Sequence, residues 1–479
     1  MEKIKAFIKL LELRWSDLFI LVGFIPFTLF LIFGQLFMQY PNPDEVAFKP
    51  WMIIVSFVIA VGCWATYIYL EWKRGNQPKN IVTWIFVFVA IIGVIGILIQ
   101  PNIFQETVVI RFINDINKEI YGENIQVGDV VNAPLAPMNI SPIHYMFFTM
   151  DLLLILLFIY VGLFIFPKRF TSISFIKYLG YAVIVFCFVM IIYGYIVEGN
   201  EYVPFVKALL GQGGNVYDYT IESFIIHRNA YGMALMIGII FCFINHSIER
   251  KWWYWLITGY FYINMIFSFC KTGLLISALL IVIYAVYRLI FTFKEFPIRN
   301  RNILIGGGCV ACLVVLVLGI VFVSKGKILG SLYNLIAGAN TIDNRSYIWD
   351  NCFQLLSRNP IYYFFGRGFG LLNCMLLPMN TANGDKVFPA HSGFVNVLCE
   401  GGIFYLFVYI LFLGYCVYVI IKSYKKSPAL TLAMSLGVLA FLIYSVIETI
   451  EYLVYTFMLP VMILYHVSYL EENKEQANN

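Results

Sequence analysis

With 479 residues, 61% of them hydrophobic and 12% charged, and a mean hydropathy of +0.82, the chain lies far outside the soluble range and reads as a multi-spanning membrane protein. Its net charge of +5 carries meaning only loop by loop. This hydropathy leaves no place for a soluble catalytic domain, and no Walker A or GxGxxG stretch stands in a strand-to-helix setting, so nucleotide use has no support and nucleic acid is not an expected partner.

Residues 1–16 set Ile4, Phe7, Ile8, Leu11 and Trp15 on one helical stripe, with Lys3, Lys9 and Glu12 largely off it, the pattern of an interfacial helix. The apolar run from Leu18 to Met38 is too long for a signal-peptide core and no small-residue cleavage site follows, so the first span is read as retained. Twelve runs of membrane-spanning length recur, near 17–38, 51–70, 81–99, 144–166, 174–197, 224–245, 252–269, 272–293, 303–323, 393–421, 429–447 and 452–470. The side that holds both termini carries WKRGNQPK (72–79), PKR (167–169), ERK (249–251), RNR (299–301) and KSYKK (422–426). It gathers 20 of the 32 Lys and Arg but 9 of the 27 Asp and Glu, which puts both termini in the cytoplasm and the long loops outside. The chain is read as one polytopic all-α membrane domain, 1–479, with the interfacial helix 1–16 and a large extracytoplasmic loop at 324–391.

The ten cysteines lie mostly within apolar runs and lack metal-ligand spacing, so no metal site is expected. Cys309 and Cys312 form a CxxC inside a span, which reads as packing. Only Cys352 and Cys374 share an external loop, where a disulfide is one option.

On the outside, the second loop (100–143) carries Glu106, Asp115, Glu119, Glu123 and Asp129, either covering a site or simply solvated. Asp151 lies in the fourth span about two turns below the outer surface and requires a partner the sequence does not name. His227, Arg228 and Asn229 stand at the outer end of the sixth span, and the SFCKTG turn between spans seven and eight puts Lys271 at the same level. An isolated arginine there reads as snorkelling to headgroups; two cations at span mouths, on a face otherwise depleted of them, point to an anionic ligand. In the long loop, Asp343 or Asn344 caps a helix with Ile348, Cys352, Phe353, Leu355 and Leu356 on its apolar face, ending before Pro360. That helix is expected to lie flat and present Arg345 and Arg358. FFGRGFG (364–370) follows, with Arg367 between glycines that allow a tight backbone and close approach to a ligand.

The loop ends at PAHSGFVNVLCEGG (389–402), where His391 opens a span that contains Glu400. Ionisable residues at a membrane mouth are costly to hold, so a functional role is the default reading, with an interfacial histidine bonded to the loop backbone as the alternative. Glu448 and Glu451 in the last external turn either pair with the external cations or bind sugar hydroxyls.

HRNAYG at a span start, CKTG with its basic residue followed by a small one, and NRSYIWDNCFQLLSRNP with FFGRGFG leading to HS and EGG resemble the O-antigen ligase and polysaccharide polymerase family. The resemblance covers roughly residues 224–421. Members more often carry arginine where this chain has Lys271, which keeps the charge but loses the bidentate fork. The resemblance implies a GT-C-like membrane fold and a metal-independent, inverting glycosyl transfer without cofactor, at the outer face of the bacterial cytoplasmic membrane. The implied donor is an undecaprenyl-pyrophosphate-linked oligosaccharide held in membrane lipid, with a chain-length regulator and a flippase of the same pathway as candidate partners. In that chemistry Arg228 and Lys271, with Arg345 or Arg367, clamp the pyrophosphate leaving group, and His391 is the general base for the acceptor hydroxyl. Glu400 orients the site or contacts the acceptor, while His227 and Asn229 bind substrate. Transfer to another lipid-linked repeat, as in a polymerase, is the preferred reading. The alternatives are an O-antigen ligase or O-oligosaccharyltransferase using the same donor, a twelve-span lipid or sugar transporter, and a non-enzymatic assembly subunit.

Overall fold

The computed structural model describes, apart from short gaps, residues 14–30, 51–99, 142–165, 169, 173–223, 228–293, 349–369, 392–424 and 428–447, with short strands at 107–111, 130–137 and 375–376. In chain order the helices are α1 (Trp51–Lys73), α2 (Asn80–Leu98), α3 (Pro142–Tyr160), α4 (Ile173–Val197), α5 (Tyr202–Leu209), α6 (Arg228–Glu249), α7 (Trp253–Ser268), α8 (Lys271–Phe293), α9 (Pro360–Phe365), α10 (Gly393–Tyr424) and α11 (Pro428–Ile447). Stretches within α1, α4, α6, α8, α10 and α11 are each long and apolar enough to cross a membrane, and Asp17–Phe27, Thr83–Leu98 and Tyr145–Tyr160 are shorter apolar helices. The protein is an all-α integral membrane protein. Its described strands form two small antiparallel ribbons, β1 (Thr107–Arg111) with β2 (Val130–Pro134) and β3 (Ala136–Pro137) with β4 (Met375–Leu376). The spans predicted at 303–323 and 452–470, most of the interfacial helix 1–16, and Cys309 and Cys312 lie outside the described residues.

Helix ends follow from local chemistry. At the end of α1, Gly75 is left-handed (φ +85°), Gly75 N–H donates to Trp72 O (3.0 Å) and Asn76 N–H to Glu71 O (3.0 Å), the paired bonds of a Schellman cap. Helix α5 ends the same way on Gly211 (φ +72°), with Gln212 N–H to Lys207 O at 2.8 Å.

The chain divides into two compact units: residues 1–175, 344–422 and 445–479, and residues 176–343 with 423–444. In the first, Phe27, Phe30, Trp64, Phe147 and Phe158 form an aromatic core joined by Cys352, Leu356, Tyr362 and Cys399. One end of this unit buries charge that membrane burial would penalise unless paired. Arg169 donates to both carboxylate oxygens of Asp17, at 3.3 and 2.5 Å, and Arg74 pairs with the fully buried Glu71, which also accepts from Ser16 Oγ (3.2 Å) and Asn76 Nδ2 (2.6 Å).

The second unit is built on α6, the most enclosed of the long helices, with every side chain from Tyr231 to His246 buried. Small residues permit this. A Cβ on Gly238 would stand 2.8 Å from both Cys187 Sγ and the Phe261 ring, so neighbouring helices approach the α6 backbone directly. At the far end of α6, Glu249 accepts from Tyr181 and Tyr254 hydroxyls, both at 2.7 Å, and pairs with Lys177 and Lys251.

Candidate functional site

In the second unit, α7 turns into α8 through two residues, Phe269 and Cys270. Ser268 Oγ accepts Cys270 N–H (3.2 Å), Phe269 adopts a left-handed conformation (φ +50°), and Cys270 O accepts the first α8 bond from Leu274 N–H (2.9 Å). A bulky residue at positive φ is strained, and such strain persists only where surrounding contacts hold it. Lys271, the first residue of α8, is half-buried and its ammonium lies 5.6 Å from the Phe269 ring centroid.

Cys270 joins this turn to α6. Its thiol reaches Asn229 O (3.8 Å), and a Cβ on Gly232 would fall 2.4 Å from Cys270 Cβ, so the glycine of HRNAYG exists to let the CKTG turn lie against it. Tyr444 of α11, fully buried, hydrogen-bonds the same thiol (3.2 Å). Arg228 and Lys271 therefore begin two helices whose N-terminal ends meet through Asn229 and Cys270. Helix N-termini carry partial positive charge and unsatisfied N–H groups, and adding Arg228 and Lys271 makes this end suited to an anion. The sequence reading placed both cations at one level; it missed Cys270 and Tyr444 as the joints, although Cys270 stands inside the quoted motif.

The first unit contains the other predicted groups. Helix α10 is broken at Gly402 (φ 67°, ψ −165°), which releases carbonyls that an unbroken helix would bond. The FFGRGFG segment occupies them: Arg367 N–H donates to Cys399 O (2.6 Å) and Gly368 N–H to Glu400 O (3.0 Å). The fit is backbone against backbone. A Cβ on Gly366 would lie 2.3 Å from the carbonyl of Glu400, and one on Gly402 would lie 2.3 Å from that of Phe364. Gly96 of α2 admits Phe365 O in the same way, at 2.7 Å from its Cβ position.

Arg367 is fully buried with its guanidinium 4.3 Å from the Tyr362 ring centroid, and Glu400 is 5% exposed. Tyr362 belongs to α9, capped by Asn359, whose side chain accepts Ile361 N–H (3.0 Å). Ahead of it Trp349, Cys352, Phe353, Leu356 and Ser357 are helical, consistent in place with the expected loop helix. Cys352 and Leu356 are buried as expected, whereas Phe353 is 43% exposed and falls off the inward face. Cys352 is a free thiol buried in the same apolar cluster as Cys399 of α10, and Cys374, with which a disulfide was weighed, lies outside the described residues.

Helix α10 starts at Gly393, after His391, as contact between His391 and Glu400 requires, and Ser392 is buried with its hydroxyl donating to Ser445 O (3.5 Å). Asp151 is half-buried in α3. His227, Arg345, Arg358, Cys374, His391, Glu448 and Glu451 lie outside the described residues.

Residues 256–410 match the O-antigen ligase family. The family match runs from Leu256 in α7 to Ile410 in α10, so it takes in Lys271, Arg367, His391 and Glu400, while HRNAYG precedes it. That similarity accords with the multiple apolar helices of membrane-spanning length. No curated protein matches the chain.

Proposed function

We propose that the protein is a cell-surface polysaccharide polymerase. It transfers an undecaprenyl-pyrophosphate-linked glycan to the acceptor hydroxyl of another lipid-linked repeat at the outer face of the cytoplasmic membrane. The observation that carries this reading is the joint between the α6 and α8 N-termini, where Arg228 and Lys271 begin two helices held together through Asn229 and Cys270. A leaving pyrophosphate gains negative charge as the glycosidic bond breaks, and fixed cations with helix-end N–H groups stabilise that charge without reorganising.

His391 takes the proton from the attacking hydroxyl, inverting the configuration at the anomeric carbon. Glu400 orients the acceptor side; Arg367, expected as a substrate contact, is fully buried, and its backbone N–H to Cys399 O helps hold the Cys399–Gly402 break in shape. Arg345, His227 and Asn229 contribute substrate contacts. Both termini lie in the cytoplasm, and a chain-length regulator and a flippase of the same pathway are the expected protein partners.

The test is purified protein incubated with its lipid-linked repeat, with and without EDTA, and the products separated by size. A ladder that persists in EDTA is expected, and Arg228→Ala is expected to abolish it. Transfer only to a lipid A core acceptor would make the protein a ligase; movement of labelled glycan across liposomes without elongation would make it a transporter.

A further inference from the structure

We propose that Glu198 is a positioning residue for Lys271 and Arg228, an inference that rests on the transfer reading above. Glu198 follows the last turn of α4, and one of its carboxylate oxygens, Oε2, accepts two backbone N–H groups, from Glu222 (3.0 Å) and Ser223 (3.1 Å). Ser223 is left-handed (φ +57°), 5% exposed, and its hydroxyl donates to Met190 O (2.7 Å). A serine at positive φ keeps that conformation only where neighbours over-determine it, and here two bonds to α4 and the Glu198 carboxylate do so.

The same three-residue segment is fixed on its other side to α7. Ile221, fully buried, donates its N–H to Phe267 O (3.0 Å) and packs on α4 where Gly194 leaves room, a Cβ there standing 3.2 Å from Ile221 Cγ2. Phe267 is one residue before Ser268, whose hydroxyl caps Cys270, and two before the left-handed Phe269. Cys270 in turn carries Lys271 and touches Asn229 O. An unbroken series of described bonds thus runs from the Glu198 carboxylate through Ser223, Ile221, Phe267 and Cys270 to the first residues of α6 and α8.

Placement argues for positioning over charge. A carboxylate at a rim suited to an anion is an unfavourable neighbour unless its charge is engaged, and Oε2 is turned to two backbone donors. The group needed at Glu198 is therefore an acceptor oxygen at that reach, which glutamine supplies and aspartate, one methylene shorter, does not.

Three variants purified in detergent test this: Glu198→Gln, Glu198→Asp and Glu198→Ala. Backbone hydrogen exchange at Glu222 and Ser223 is read beside ladder formation from the lipid-linked repeat. Glu198→Gln is expected to keep amide protection and kcat within about twofold of the parent. Glu198→Asp and Glu198→Ala are expected to lose protection and to lower kcat on the order of tenfold to a hundredfold, with donor KM little changed, because misplaced groups lose transition-state contacts first. Parental kcat in Glu198→Ala, a loss in Glu198→Gln equal to that in Glu198→Ala, or an effect confined to KM would overturn the positioning role. Arg228→Ala and Lys271→Ala run beside them: if these are inactive while Glu198→Ala is parental, only the positioning role falls. If these two also keep the parental rate, the transfer reading fails and takes the positioning role with it.

Discussion

Lys271 leaves a turn that has almost no freedom. Phe269 is left-handed, Cys270 is held by Ser268, Asn229 and Tyr444, and the lysine ammonium rests near the Phe269 ring. If Lys271 acts by charge, Lys271→Arg retains transfer and Lys271→Ala loses it; loss in Lys271→Arg at normal expression would count against a charge role. His391→Ala is expected to remove the ladder while leaving binding of the lipid-linked donor intact, since loss of a general base costs about 10² to 10⁴ in rate. What activity remains should lack the rise through about pH 6.5 that an imidazole base brings, because only the neutral ring accepts the proton. A parental rate in His391→Ala would make that residue an interfacial structural histidine. Charges at single positions stood out in the sequence, because a charge at a membrane mouth is conspicuous against an apolar background. The groups that hold those charges were not: Cys270 and Tyr444 look like packing residues until their thiol–hydroxyl contact is seen.

Helix α10 is broken at Gly402, and the FFGRGFG segment docks at the break. Gly366 and Gly402 both occupy a region of positive φ with ψ near ±165° that is essentially closed to side-chain-bearing residues, and each lies against the other segment's carbonyl. Gly366→Ala and Gly402→Ala are each expected to destabilise by at least about 1–3 kcal/mol from backbone strain alone, read as a lowered melting temperature in detergent. Gly62→Ala in α1, where nothing lies within 4 Å of the Cβ position, is the control and should melt with the parent. The sequence marked FFGRGFG as a place of close approach but assigned the approach to a ligand. The partner is the EGG backbone, 30-odd residues further on, where the break at Gly402 frees carbonyls for Arg367 and Gly368. Hydropathy carries no trace of this, because a kinked apolar helix and a straight one share the same composition.

Across the whole molecule, membrane burial dictates where polar groups are tolerated. Asp17, at the start of the first apolar helix, and Arg169, beyond the end of α3, are 4% and 3% exposed and pair across 152 positions of sequence. Removing one partner leaves the other buried and uncompensated, so Asp17→Ala is expected to cost about 3–5 kcal/mol, while Asp17→Leu combined with Arg169→Met should recover most of it. Melting temperatures of the two variants in detergent check the difference; equal values would mean that the loss does not come from a buried charge left without its partner. The sequence by itself determined that this is an all-α membrane protein, the places of the helices now described, and a resemblance to the O-antigen ligase family, because spanning length and short motifs are local properties of the chain. Only the tertiary structure decided which backbones meet, at Gly232 with Cys270 and at Gly366 with Glu400. Those meetings depend on the direction in which helices bend and cross, and that is fixed by packing between residues far apart in sequence rather than by any residue's own preference.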